Sequence, residues 1–140
     1  MFYQLAILFL AITVYSLPFT HVERVSIKGK VICGDRYSVG VGIQLCDGSD
    51  CLEKVTSSSP KGAFQASGNW SVFFSSEPSV LITHNCDVEN RTKCLRQTRF
   101  PIHEWYVLKE ENKYDRIYDM KLVQLIARQE KDEDGNESCE

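Results

Sequence analysis

Most of the short motifs that reveal catalysis are missing from this chain of 140 residues. It has no H-E-x-x-H pair, no glycine-rich phosphate loop and no C-x-x-C spacing, so metalloprotease, nucleotide-binding and common zinc-ribbon readings find no support. Only three histidines are present. His21 and His103 fall in expected loops with no serine or cysteine beside them in a nucleophile motif, and His84 reads as a structural residue that hydrogen-bonds a loop. The pair Glu110-Glu111 reads as solvated loop charge rather than an acid/base couple. No helical stripe stands out, and no repeat is visible. Beyond the N-terminus, no apolar run reaches the ~20 residues needed to cross a bilayer.

What the chain does have is an apolar leader followed by six cysteines, Cys33, Cys46, Cys51, Cys86, Cys94 and Cys139. The run Phe2 to Tyr15 is too short for a membrane span and has the apolar core of a secretory signal peptide, with Val14 and Ser16 suiting a cut after Ser16. It lacks the usual lysine or arginine ahead of that core. An even cysteine count behind such a leader predicts a secreted, extracellular, disulfide-bonded domain. The expected organisation is a signal peptide over 1–16, an N-terminal segment over 17–24, one β domain over 25–128 and an acidic tail over 129–140. A mature chain of this size buries enough surface to form its own core.

The net charge of −3 is concentrated in the tail. Glu130 to Glu140 hold six acids and one base, leaving a body with 13 acids and 15 bases. So few apolar groups predict disorder up to Cys139. In the body, Arg91, Lys93, Arg96 and Arg99 form a local basic cluster. It fits either a solvated strand face or a contact surface for an acidic partner or anionic headgroups. So small a body charge argues against nucleic acid as a partner.

Val25 to Cys33 alternates with period two, placing Val25, Ile27, Val31 and Cys33 on one face. Further strands are expected at Val41–Leu45, Leu52–Ser57, Ala63–Ala66, Pro78–His84, Leu95–Ile102 and Tyr118–Ala127, with a turn at Ser59-Pro60-Lys61-Gly62. The last has apolar residues on both faces and so reads as a central strand, although Leu122, Leu125 and Ile126 also have helical spacing. About seven short strands predict an all-β, two-sheet antiparallel sandwich. The Cys–Trp–Cys spacing of antibody domains is absent.

These pieces, taken in order, resemble the nematode transthyretin-like family of small secreted proteins. The resemblance rests on Ile27-Lys-Gly-Lys-Val-Ile-Cys33, Val41-Gly-Ile-Gln-Leu45, Pro60-Lys-Gly-Ala-Phe64, Val80-Leu-Ile-Thr-His-Asn-Cys86, Lys93-Cys94, Phe100-Pro-Ile102 and Tyr118-Asp119. It implies a transthyretin-like (immunoglobulin-like) sandwich, secretion and no single family-wide ligand. Four of the cysteines fit the family pattern, and Cys46 and Cys51 stand out as an added pair. Related hydroxyisourate hydrolases would require a Tyr-Arg-Gly-Ser ending, whereas this chain ends Glu137-Ser-Cys-Glu140.

Six cysteines allow 15 connectivities. Proximity favours Cys86–Cys94 across a polar loop and Cys46–Cys51 across a tight turn, leaving Cys33–Cys139 to tie the tail to the first strand. A zinc site of His84, Cys86, Cys94 and His103 is the competing reading, which an oxidising compartment disfavours. No metal and no cofactor are expected. Asn69, Asn90 and Asn136 begin N-glycosylation sequons. Trp70, Phe73 and Phe74 read either as the core of an additional strand or as an exposed contact loop, and with the basic cluster they make up the candidate binding patch. The expected function is non-enzymatic binding of an extracellular protein or lipid surface, with homodimerisation a candidate assembly. The alternative is carriage of a small apolar ligand in a cavity or dimer channel.

Overall fold

The structure, a computed structural model, describes residues 20–86, 94–126 and 137–139, the last three as backbone only. The strands, in chain order, are β1 (His21–Cys33), β2 (Arg36–Tyr37), β3 (Gly42–Asp47), β4 (Asp50–Cys51), β5 (Val55–Thr56), β6 (Ala63–Val72), β7 (Pro78–His84), β8 (Cys94–Pro101), β9 (Leu108–Lys109), β10 (Ile117–Gln124) and β11 (Glu137–Cys139). A 3-10 turn covers Glu104–Tyr106. Among the described residues, six strands exceed three residues and carry the two sheets of an all-β sandwich.

In the first sheet β1 is central, with β6 antiparallel on one side and β10 parallel on the other. In the second, β7 lies between β3 and β8, both antiparallel, and β11 extends the sheet beyond β8. The alternation of β1 sends Val25, Ile27 and Val31 inward, where all three are fully buried. They meet Ile43, Leu45, Val80 and Ile82 of the second sheet, with Phe64, Val123 and Leu125 completing the core. Burying each such aliphatic side chain contributes roughly 1.5–3 kcal/mol.

Several elements differ from the sequence expectation. Strand β1 begins at His21, four residues early, because Glu23 holds the inward register of Val25 despite its charge. Strand β6 runs for ten residues. Its inward set, Phe64, Ala66, Trp70 and Val72, alternates with Gln65, Ser67, Asn69 and Ser71, and Gly68 is the missing member of the inward set. A Cβ on Gly68 would lie 2.1 Å from Leu52 Cδ1. This glycine, just beyond the expected strand Ala63–Ala66, admits a side chain from the facing sheet. Leu52 itself turns inward with its N–H on Leu45 O at 2.8 Å, and the strand expected over Leu52–Ser57 is reduced to β5, with β4 ending just before Leu52.

Strand β10 is a strand, as read, but not a central one: among the described residues it pairs only with β1. Lys28 faces Asp119 and Lys30 faces Leu122, so Gly29 stands opposite both Met120 and Lys121. Lys121 has φ 59°, and the extra residue forms a β-bulge. The bulge reverses the side-chain parity. Tyr118 and Met120 pack on the core before it, Val123 and Leu125 after it, and Leu122 is turned out to solvent. This is why apolar residues fell on both faces.

The disulfides also differ. Cys46 and Cys51 are bonded across the turn between β3 and β4. Cys33, however, is bonded to Cys86 rather than Cys139, which excludes the Cys86–Cys94 bridge as well. The reason is topological. β1 and β7 lie in facing sheets, so the end of β1 and the residues just after β7 meet at one end of the sandwich. Cys94 is disulfide-bonded, and the β8–β11 register sets Cys139 directly opposite it. Disorder up to Cys139 therefore does not hold for Glu137–Cys139, which form β11. The rest of the tail and the leader lie outside the described residues. No helix among the described residues is long and apolar enough to cross a membrane.

Candidate binding surface

The expected patch does not assemble as one surface. Arg96 and Arg99 are three residues apart on β8, so they face opposite sides of the sheet. Arg96 shares the inward face with Thr98 and Phe100, and Arg99 points outward, donating to Ser79 Oγ at 2.7 Å and Gly48 O at 3.3 Å. The guanidinium of Arg99 thus holds a turn in place. Arg91 and Lys93 lie outside the described residues, as do the sequons at Asn90 and Asn136. Asn69 is exposed on β6.

The three aromatics also separate. Trp70 points inward and packs against the core, half-buried, with its indole N–H lacking an acceptor among the described residues. Val72 is the last buried residue of β6. The chain then leaves the sheet and exposes Phe73 by 58 % and Phe74 by 91 %. Two adjacent phenylalanines in water forgo the stabilisation that burial gives aromatic rings.

This tip is held from beneath by both sheets. Glu23, only 2 % exposed on the inward face of β1, accepts hydrogen bonds from Ser76 Oγ at 2.7 Å and Ser76 N–H at 3.2 Å. Its other oxygen meets His21 Nε2 at 3.1 Å. From the second sheet, Asp47 Oδ1 accepts from Glu77 N–H at 2.8 Å, and Gly48 N–H donates to Glu77 O at 3.1 Å. Burial alone would push the Glu23 carboxyl up. The hydrogen bonds from Ser76 and His21, with the charge of His21, outweigh it and leave the group below its ordinary value. A buried carboxylate so paired fixes the base of the tip while Phe73 and Phe74 project beyond it. Neither Glu23 nor Ser76 was singled out from the sequence. The usable signal was that Glu23 extends the alternation of Val25 and Ile27 by one step.

At the opposite end of the sandwich, His84 is buried beside the Cys33–Cys86 bond. Its Nδ1 accepts from Cys86 N–H at 3.1 Å, so the proton of the neutral ring sits on Nε2, which donates to Thr98 Oγ1 at 3.1 Å. That is a structural role. With the Cys86 sulfur bonded to Cys33, the set His84, Cys86, Cys94 and His103 offers no thiolate from Cys86. Among the described residues, no group of three or more His, Cys, Asp or Glu side chains is placed to hold a metal ion.

A family model described as TTR-52, transthyretin-like family, matches residues 28–103. That is more than half of the chain, and it runs from the middle of β1 past the end of β8. The chain belongs to the transthyretin-like family. Both described disulfides and the aromatic tip fall inside the stretch that the transthyretin-like family model covers, whereas Glu23, β10 and Cys139 fall outside it. No individual curated protein matches the chain.

Proposed function

We propose that this transthyretin-like chain is a secreted, glycosylated, non-enzymatic interaction module of the nematode type, which meets an extracellular protein or lipid surface through Phe73 and Phe74. The observation that carries this reading is the exposure of these two rings on a tip whose base is hydrogen-bonded to both sheets. Exposed apolar groups held in place this way lose little entropy on docking. Family membership supports a binding rather than a catalytic role, and the disulfides suit an oxidising extracellular compartment.

The test is a pull-down from extracellular fluid with the glycosylated mature protein, followed by mass spectrometry for proteins and lipids. The same experiment is run with Phe73→Ser/Phe74→Ser. A partner retained by the wild type and lost with the double variant supports the module. Equal retention by both proteins removes the tip from the function. Recovery of a stoichiometric small apolar molecule would instead favour a carrier.

A further inference from the structure

The outward face of the first sheet bears a groove that is independent of the aromatic tip. It has a volume of about 540 Å³, within the usual range of small-ligand sites. Its walls include Lys28 and Lys30 from β1, Lys121 from the β10 bulge, Tyr37 from β2, and the exposed Leu122. The groove follows from the local sequence. Lys28 and Lys30 are two apart on one strand and therefore share its outward face, and Gly29 between them carries no side chain. A Cβ on Gly29 would come within 2.8 Å of the Phe64 ring and 3.2 Å of Lys121 O, so the glycine allows β10 and that ring to approach β1 closely. The bulge then brings a third lysine to the same rim and turns Leu122 outward.

Two properties of the groove set the chemistry of its occupant. The rim has three ammonium groups against one carboxylate, Asp119, which already accepts from Lys121 N–H at 3.0 Å. Neither of the two ion pairs among the described residues includes any of these lysines. The wall is apolar, with Leu122 exposed by 57 % and Tyr37 by 47 %. A polyanion would satisfy the lysines and leave the apolar wall wet, and a neutral apolar molecule would do the reverse. We infer that the groove binds one molecule of an anionic amphiphile, with its acidic head at the lysine rim and its apolar body against Leu122 and Tyr37.

The probe is 11-(dansylamino)undecanoate, titrated as monomer into the oxidised mature protein and compared with its uncharged amide. Saturable one-to-one binding of the anion, at least tenfold tighter than the amide, is expected. Lys28→Gln/Lys30→Gln should weaken the anion about tenfold and leave the amide unchanged. Leu122→Gln should weaken both. Lys121→Asn, chosen because asparagine tolerates the positive φ, provides a second lysine test in a protein that keeps its bulge. Laurate should displace the probe, and hexaglutamate should not. No saturable binding, equal affinity for anion and amide, displacement by hexaglutamate, or binding only to anionic vesicles would each overturn the proposal.

Discussion

The carboxamide of Gln124 pairs with both backbone groups of Gly34, its oxygen accepting the N–H at 2.8 Å and its nitrogen donating to the carbonyl at 2.9 Å. Gly34 has φ 67° in the turn that follows β1, and Gln124 is the last residue of β10. The clasp closes the parallel pair next to the Cys33–Cys86 bond, where Leu125 N–H also donates to Ile32 O. Gln124→Ala removes two partially buried hydrogen bonds and is expected to cost about 1–3 kcal/mol. A urea midpoint measurement checks it. Gln124→Glu keeps the acceptor but loses the donor, so its midpoint should lie between those of the wild type and the alanine variant.

The disulfides differ in how much chain they close. Cys33 and Cys86 are 53 residues apart, and Cys46 and Cys51 are five apart. On the chain-entropy model the first bond contributes about 4 kcal/mol and the second about 2 kcal/mol. Replacing Cys33 and Cys86 together by alanine should therefore lower stability about twice as much as replacing Cys46 and Cys51. Non-reducing peptide mapping should recover both of these links. It should also recover a third, Cys94 to Cys139, since Cys94 is bonded and the strand register sets Cys139 opposite it.

What could be read from the sequence was what depends on local pattern. Val25, Ile27 and Val31 and the two-sheet sandwich follow from period-two patterning, the strand Pro78 to His84 follows from its local apolar run Val80-Leu81-Ile82, and the family resemblance agrees with the family-model match. Features set by tertiary approach were hidden. The strand expected at Ala63–Ala66 runs on through Gly68 because Leu52 fills the side-chain volume that the glycine lacks. Lys121 gives no sign of a bulge, and without it the parity of β10 cannot be assigned. Cysteine pairing by proximity in sequence failed for Cys33 and Cys86 because facing sheets join residues that are distant along the chain. At the candidate site, Phe73 and Phe74 were visible as aromatics, but their separation from Trp70 depended on where β6 ends.

Gly62 and Gly48 allow steric and conformational costs to be separated. Both have positive φ, 61° and 57°. A Cβ on Gly62 would lie 2.6 Å from Ser38 O and 2.7 Å from Val31 O, both backbone atoms, whereas a Cβ on Gly48 meets nothing within 4 Å. Gly48→Ala should cost only the left-handed backbone term, about 1–2 kcal/mol. Gly62→Ala adds a clash that no side-chain motion relieves, and it breaks the turn whose carbonyl accepts Val31 N–H at 3.0 Å. Its cost should exceed that of Gly48→Ala, and thermal unfolding of the two variants side by side measures the difference. Equal losses would show that the turn relaxes freely.

The Glu23 carboxylate makes a specific prediction for pH. Its folded value lies below the ordinary glutamate value of 4.5 because its hydrogen bonds from Ser76 and His21 outweigh the cost of burial. A group depressed in the folded state contributes stability that is complete above its unfolded pKa and is lost as the pH falls through the folded one. The wild type should therefore lose stability below about pH 4.5 more steeply than Glu23→Gln, and the two should differ least in strong acid. At neutral pH, Glu23→Gln is expected to be destabilised, since an amide accepts fewer and weaker bonds at the position where the carboxylate receives Ser76 Oγ–H and N–H. Because those bonds hold the base of the Phe73–Phe74 tip, protection of the Ser76 amide relative to its intrinsic exchange rate should fall in the variant at neutral pH, and in the wild type only in acid. Denaturant midpoints for both proteins from pH 3 to 7, with exchange followed at Ser76, test the prediction. Parallel pH profiles for the two proteins would show that this carboxylate is not what ties the tip to β1.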